Sequence, residues 1–201
     1  DGIVLSPINS SSVVFLLKLA KDANIPVVIS DIGTDGGEYL SYISSDNEEG
    51  SYRLGKILTS KMKELEIENG TVGIISIPQE RANGKARTKG FLKALDESNI
   101  KSTGIEQLVN FSYKETFDFS KKLIMNNPDM KALWLQGSDK YQGALDAMAE
   151  LGKSDEILLI CFDSEPEFLQ MIPEGKLVGA AMQQPFLMGE KSVEQFYNHF
   201  N

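Results

Sequence analysis

Short apolar runs alternate with segments of helical periodicity along most of the chain. The runs are almost continuously apolar, as in strands that are buried on both faces of a parallel sheet. They lie at 2–6, 25–30, 71–77, 131–136, 156–162 and 176–182. Between them, apolar residues recur at helical spacing after Val13, Leu54 and Phe91 and within 114–126, 140–151 and 186–200. This alternation of strands and helices predicts a doubly wound α/β fold.

The predicted elements fall into two unequal lobes. Segment 33–50 has no helical pattern, so we expect it to carry the chain from the first lobe to the second. The first lobe would comprise 1–44 plus 184–201, and the second 45–183. Two strands with two helices bury too little apolar surface for an independent core, whereas four strands with four helices make a small domain. We therefore expect the first lobe to be incomplete and the chain to be a fragment.

Composition excludes several classes of function. The formal net charge of −9 argues against nucleic-acid contact by this segment, because phosphate binding requires a basic face. No apolar run approaches the roughly 20 residues of a membrane span, so no membrane insertion is expected. The chain has 1 His and 1 Cys, which excludes a His/Cys metal cluster and an internal disulfide. No phosphate-binding GxxxxGK loop is present, and no cofactor is expected.

Polar side chains follow each predicted strand. In open α/β sheets, ligands bind beyond the carboxyl ends of the strands. The residues at these ends include Ser6, Asn9, Asp31, Arg81, Asn83, Arg87, Ser138, Asp139, Asp163 and Gln183. Carboxylates, amides and an arginine together accept and donate hydrogen bonds, as sugar hydroxyls do. The pattern thus predicts a small polyhydroxylated ligand.

The same residues carry a family resemblance. The blocks "IPVVISDI", "ARTKGFLKAL", "ILLICFDSEPEFLQMIPEGKL" and "MQQPFLMGEKSVE" occur in this order. They resemble the periplasmic sugar-binding proteins of ribose- and galactose-type ABC transporters, whose fold also serves as the effector domain of LacI-type repressors. The resemblance covers essentially the whole chain. It implies a type I periplasmic binding protein with two Rossmann-like lobes, a ligand cleft between them, and missing pieces at both ends.

The resemblance also implies which residues contact the ligand. The set is Ser6, Asp31, Asn83, Arg87, Phe111, Ser138, Asp139, Asp163 and Gln183. Phe111 falls near a position where the family places an aromatic ring against the sugar. Two departures remove polar contacts, because Ile32 and Gly137 stand where many sugar-binding proteins carry polar side chains. Ser138 or Asp139 would have to compensate.

The implied function is solute capture rather than catalysis. Two lobes would close around a sugar or polyol by hinge bending, and an ABC permease would be the partner. The expected location is the periplasm or the cell exterior, with a lipid anchor as one form. Alternatives are the effector domain of a cytoplasmic repressor or the extracytoplasmic domain of a sensor. An enzyme using Asp31 or Asp163 is disfavoured, because no nucleophile–base pair accompanies either residue.

Asp163 also has a structural interpretation, since Asp is a favoured helix N-cap. Ser164 and Glu167 have the spacing of a capping box, and Pro166 suits a first helical turn. This spacing predicts that Ser164 caps the following helix and leaves Asp163 available to a ligand. We then expect Asp163→Ala to weaken ligand binding with little effect on the stability of the unliganded protein.

Overall fold

The computed structural model describes residues 1–67, 69–138 and 140–201 and contains two parallel sheets with flanking helices. The predicted α/β class is therefore confirmed. The chain divides into two compact units. Unit 1 comprises Asp1–Asn47, Gln79–Ala86 and Gln183–Asn201, and unit 2 comprises Glu48–Pro78 and Arg87–Met182. Within the described ranges, no helix is long and apolar enough to cross a membrane.

Unit 1 holds a three-stranded parallel sheet in the order β1-β2-β3. Its elements are β1 (Ile3–Leu5), α1 (Val13–Asp22), β2 (Val27–Ser30), β3 (Ser41–Ile43) and α7 (Pro185–Phe200). Val13, Leu17 and Ala20 recur at helical spacing and are buried in one cluster with apolar residues of β2. This small cluster is the core of unit 1.

Segment 79–86 belongs to unit 1 because it bonds to the loop that follows β1. The backbone N–H of Ala82 donates to Ser10 Oγ at 2.9 Å. Arg81 Nε donates to the carbonyl oxygen of Ile8 at 2.9 Å. Ser10 is fully buried and satisfies one of the free N–H groups at the start of α3 (Ala82–Glu97).

Unit 2 holds a five-stranded parallel sheet in the order β5-β4-β6-β7-β8. Its strands are β4 (Thr71–Ser76), β5 (Ser102–Gln107), β6 (Met130–Leu135), β7 (Leu158–Phe162) and β8 (Ala180–Ala181). Its helices are α2 (Asn47–Glu64), α3, α4 (Tyr113–Asn126), α5 (Tyr141–Glu150) and α6 (Phe168–Met171), with the first residues of α2 and α3 in unit 1.

Helices cover both faces of this larger sheet, so its central strands are apolar on both sides. Along β6, Leu133 and Leu135 join one buried cluster, whereas Trp134 between them joins the other. Trp134 stacks on Phe91 of α3 with ring centroids 3.9 Å apart. Because successive side chains of a strand point to opposite faces, a continuous apolar run is the sequence signature of such a strand.

Two glycines permit close helix packing within unit 2. A Cβ on Gly90 of α3 would lie 2.0 Å from the carbonyl oxygen of Glu48 in α2. A Cβ on Gly143 of α5 would lie 2.7 Å from the carbonyl oxygen of Tyr113 in α4. On each side of the sheet, the approach of one helix backbone to another requires the absence of a side chain.

The structure corrects several element predictions. Strands β3 and β5 were missed because neither contains a continuous apolar run, and β5 is half-exposed. Helix α2 begins at Asn47, well before the first predicted apolar residue, because its first two turns are polar. The predicted strand at 176–182 is reduced to β8, whose two residues pair with the end of β7.

The capping-box prediction is wrong. Helix α6 begins at Phe168, its N-cap is Glu167, and no side chain among the described residues caps it. Ser164 therefore lies four positions before the helix, too far along the chain to cap it. The residues between β7 and α6 instead form an irregular loop at the carboxyl end of the strand.

Candidate functional site

In unit 1, the strand-end carboxylate is Asp31, directly after β2. Its backbone has φ of 65°, in the left-handed region that non-glycine residues rarely adopt. Its N–H donates to the carbonyl oxygen of Ile43 at 2.9 Å, and its own carbonyl accepts from Tyr42 Oη at 2.9 Å. These bonds to β3 fix the main chain at the point where the carboxylate leaves the sheet. Burial is the main cause that raises the pKa of Tyr42, and the charge of Asp31 adds to it.

Asn83 is the predicted residue that lies beside Asp31. Its Nδ2 is 3.5 Å from Asp31 Oδ1, a long hydrogen bond, and the side chain is buried. Ser6 is exposed after β1, and Gln183 is half-buried just before α7. Ile32 is buried, so the side chain after Asp31 contributes no polar group.

In unit 2, Arg87 of α3 is the central cation, and it is only 2% exposed. Its Nη1 donates to the carbonyl oxygen of Gln136 at 2.5 Å and lies 3.4 Å from Asp163 Oδ2. Its guanidinium carbon is 3.8 Å from the centroid of the Phe162 ring, a cation–π contact. A buried guanidinium needs such partners, because desolvation of an unpaired charge is costly.

Asp163 follows β7 and has φ of 66°. Its N–H donates to the carbonyl oxygen of Ala181 in β8 at 2.9 Å. Its side chain is 34% exposed, whereas that of Arg87 is 3% exposed, so the carboxylate is the more accessible member of the pair. Burial raises the pKa of the Cys161 thiol, with smaller contributions from Asp163 and Glu165, which keeps the thiol protonated and unreactive.

Ser138 lies after β6, the strand that pairs with β7. Its buried hydroxyl donates to Glu165 Oε1 at 2.7 Å and so connects two strand-end loops. Gln136 is also fully buried and connects further groups: its Nε2 donates to Thr88 Oγ1 at 2.6 Å, and its Oε1 accepts from the N–H of Ile77 at 3.3 Å.

Phe111 lies on a different loop, between β5 and α4. Its ring is partly buried against the cluster that includes Leu133 and Leu135, and its φ is 51°. In the sheet order, β5 is separated from β6 by β4, so Phe111 follows a strand at the sheet edge. Asp139, the remaining predicted residue, lies outside the described residues.

Within each unit, the structure brings some predicted residues together. Asp31 and Asn83 are neighbours in unit 1, and Arg87 and Asp163 are an ion pair in unit 2. Sequence reasoning missed Gln136 and Glu165. Gln136 ends an otherwise apolar run, and a polar amide at that position was the feature that could have identified it as a site residue. Among the described residues, no group of three or more His, Cys, Asp or Glu side chains is arranged to hold a metal ion.

The fold and these strand-end groups define an α/β protein of the ligand-binding type. A family model described as "Periplasmic binding protein domain" matches residues 1–201, and the chain belongs to this family. The chain is 29% identical over 192 residues to the ribose import binding protein RbsB of Escherichia coli strain K12, covering 96% of this chain and 63% of that protein. It is 27% identical to the D-ribose/D-allose-binding protein of Pseudomonas aeruginosa, covering 91% of this chain and 58% of that protein.

Solved structures show the same fold. A carbohydrate transporter solute-binding protein from Agrobacterium radiobacter in complex with D-arabinose has a TM-score of 0.85 at 23% identity, covering 96% of this chain and 66% of that one. The binding protein of the arabinose ABC transporter from Shewanella sp. ANA-3 has a TM-score of 0.84 at 21% identity, covering 98% and 67%. These likenesses confirm the type I periplasmic binding protein fold. The chain spans about 63% of the length of its Escherichia coli relative.

Proposed function

We propose that this protein binds a small neutral sugar or polyol and delivers it to an ABC-type permease in the periplasm or at the cell exterior. Family membership and the names of the relatives, which describe import and sugar-binding proteins, support this role over a repressor, a sensor or an enzyme. The proposed ligand groups are the strand-end residues of both units.

The Arg87–Asp163 pair is the observation that carries the proposal. The guanidinium is buried and already bonded, whereas the carboxylate is held at a strand end with part of its side chain exposed. A carboxylate accepts hydrogen bonds from hydroxyl groups, and a charged acceptor makes the stronger bonds. Asp31 and Glu165 add two further half-buried carboxylates at strand ends. This excess of acceptors favours ligands that donate through hydroxyls and disfavours sugar acids.

Calorimetry after a thermal-shift screen tests the proposal. The screen compares pentoses, hexoses and polyols with the corresponding sugar acids, and we expect only the neutral compounds to raise the melting temperature. For the best ligand, Asp163→Asn should weaken binding about ten- to a hundredfold, because a charged hydrogen bond contributes roughly 1.5–3 kcal/mol. Asp31→Asn should also weaken binding.

The matched control is Glu167→Gln, a change in an exposed carboxylate of the same loop that makes no side-chain cap. It should leave affinity unchanged. Binding that is insensitive to both aspartate variants would overturn the assigned site. Failure of every neutral sugar and polyol to bind would overturn the proposed ligand class.

A further inference from the structure

One carboxylate holds the loop between β5 and α4. Glu115, in the first turn of α4, accepts the backbone N–H of Val109 at Oε1, 2.8 Å away. Its Oε2 accepts the backbone N–H of Asn110 at 3.0 Å. Both oxygens of a single side chain are therefore used to fix two consecutive peptide units. We refer to this arrangement as the Glu115 clamp.

The clamp differs from an ordinary capping box. Ser112 is the N-cap of α4, and its Oγ accepts the N–H of Glu115 at 3.1 Å. In a capping box the glutamate side chain would return to the N–H of the cap residue itself. Here the carboxylate extends past Ser112 to the two residues that precede Phe111. Ser112 Oγ thus supplies the side-chain cap of α4, and the carboxylate of Glu115 has a separate task.

That task concerns Phe111, the residue between the clamp and the cap. Its φ of 51° is unfavourable for a bulky side chain. Residues held in such conformations require surrounding contacts that fix them, and they concentrate at ligand sites. The Glu115 clamp fixes the two peptide units that directly precede Phe111. The ring is partly buried against the unit 2 core, so part of it remains accessible.

We propose that Glu115 is a positioning residue that holds Phe111 as a rigid apolar platform for one face of a ring-form sugar. This inference rests on the proposed function and assigns a role to a residue outside the predicted ligand set. A cyclic sugar has a face of C–H groups that packs on an aromatic ring, whereas an acyclic polyol has no fixed face. The clamp therefore favours ring-form sugars over acyclic polyols of the same size.

The test compares Glu115→Gln with Ser112→Ala by calorimetry. Glu115→Gln replaces one acceptor with a donor and so breaks half of the clamp, whereas Ser112→Ala removes the helix cap and leaves the carboxylate in place. Glu115→Gln should weaken binding of a ring-form sugar about tenfold and change binding of an acyclic polyol less than about twofold. Ser112→Ala should leave both affinities within about twofold, although it also lowers the melting temperature.

A double-mutant cycle determines whether Glu115 acts through Phe111. In a Phe111→Ala background, Glu115→Gln should cause no further loss of affinity, because the platform is already absent. A ligand-independent measurement is the exchange of the Val109 and Asn110 amide protons, followed by NMR in the unliganded protein. Glu115→Gln should accelerate exchange at both amides, and Ser112→Ala should not.

Several outcomes would overturn the inference alone. These are equal losses of affinity in Glu115→Gln and Ser112→Ala, additive effects of Glu115→Gln and Phe111→Ala, or unchanged exchange at the two amides. Each can occur while the unsubstituted protein still binds sugars, in which case the proposed function stands. If the unsubstituted protein binds no sugar, the proposed function fails, and the role of Phe111 as a sugar platform fails with it.

Discussion

Asp31 in unit 1 and Asp163 in unit 2 have the same backbone arrangement. Each directly follows a parallel strand, and their φ angles are 65° and 66°. Each donates its N–H over 2.9 Å to the last residue of a neighbouring strand, Ile43 of β3 or Ala181 of β8. The left-handed turn at each strand end thus places a carboxylate at a fixed position beyond the sheet.

The side chains of the two aspartates have different partners. Asp163 lies 3.4 Å from a buried guanidinium, whereas Asp31 lies 3.5 Å from the neutral amide of Asn83. The backbone arrangement therefore does not determine how the charge of the carboxylate is balanced. In unit 2 the strand-end carboxylate lies beside a buried positive charge. In unit 1 it lies beside a neutral hydrogen-bond donor.

Removal of the counter-charge should have the largest effect. Arg87→Met keeps an apolar stem but removes the bond to the Gln136 carbonyl, the ion pair and the contact with Phe162. We expect the free energy of unfolding of unit 2 to fall by about 2–4 kcal/mol. Urea titration monitored by fluorescence of Trp134, the single tryptophan, measures this change in unit 2.

The counterpart in unit 1 is Asn83→Ala, which removes the long hydrogen bond to Asp31 and the Oδ1 acceptor of the Gly84 N–H at 2.9 Å, but no ion pair. We expect the free energy of unfolding to fall by about 1 kcal/mol, as measured by calorimetry of the unliganded protein. Equal losses for Asn83→Ala and Arg87→Met would show that the difference in charge balance between the two units has no energetic consequence.

Replacement of the aspartates themselves should have a smaller effect than Arg87→Met. Alanine in the left-handed region costs about 1 kcal/mol at either position. Asp163→Ala also removes the carboxylate that lies 3.4 Å from the buried guanidinium of Arg87. We therefore expect the free energy of unfolding to fall by about 2–3 kcal/mol for Asp163→Ala and by about 1 kcal/mol for Asp31→Ala. This replaces the expectation from the capping pattern that Asp163→Ala would barely affect stability.

Glycine variants separate the two contributions, because glycine adopts positive φ without strain. Asp31→Gly should recover most of the stability lost in Asp31→Ala. Asp163→Gly should recover only part of the stability lost in Asp163→Ala. Labelling of Cys161, the single cysteine, measures opening of unit 2 under native conditions. Its rate should rise in Asp163→Ala and stay unchanged in Asp31→Ala; full recovery by Asp163→Gly would contradict a role for the ion pair.

The smallest expected effect is a change in the pKa of Tyr42. Its pKa is raised mainly by burial and also by the negative charge of Asp31. Asp31→Asn removes that charge, so deprotonation becomes easier and the pKa should fall, while remaining above the ordinary value because burial persists. NMR titration of the tyrosine ring carbons measures this shift. An unchanged pKa would mean that the carboxylate of Asp31 does not act on Tyr42.

The sequence predicted a strand correctly where the strand contains a continuous apolar run. Strands β6 and β7 were found because helices cover both faces of the sheet, which requires continuous apolar runs. Strands β3 and β5 contain no such runs and were missed. The strand-end positions of Asp31 and Asp163 followed from parallel topology alone, since the carboxyl ends of parallel strands lie at one edge of a sheet.

The partners of these residues could not be predicted in the same way. The bond from Arg87 to the Gln136 carbonyl and the bond from Ser138 to Glu165 join residues that are distant in the chain. Each depends on side-chain rotamers and on the separation of neighbouring elements, neither of which a hydrophobic pattern specifies. The αL conformation of Phe111 was equally hidden, because bulky residues rarely adopt it.

Gly90 has a consequence for the evolution of this chain. A Cβ at this position would lie 2.0 Å from the Glu48 carbonyl oxygen, and a backbone atom cannot rotate away as a side chain does. Every non-glycine residue at position 90 would therefore push α2 and α3 apart. We expect no single substitution there to be tolerated without a shift of the two helices. At Gly189 a Cβ would meet none of the described atoms within 4 Å, so substitutions at that position should be tolerated. Gly90 and Gly189 should therefore differ strongly in how well they tolerate substitution.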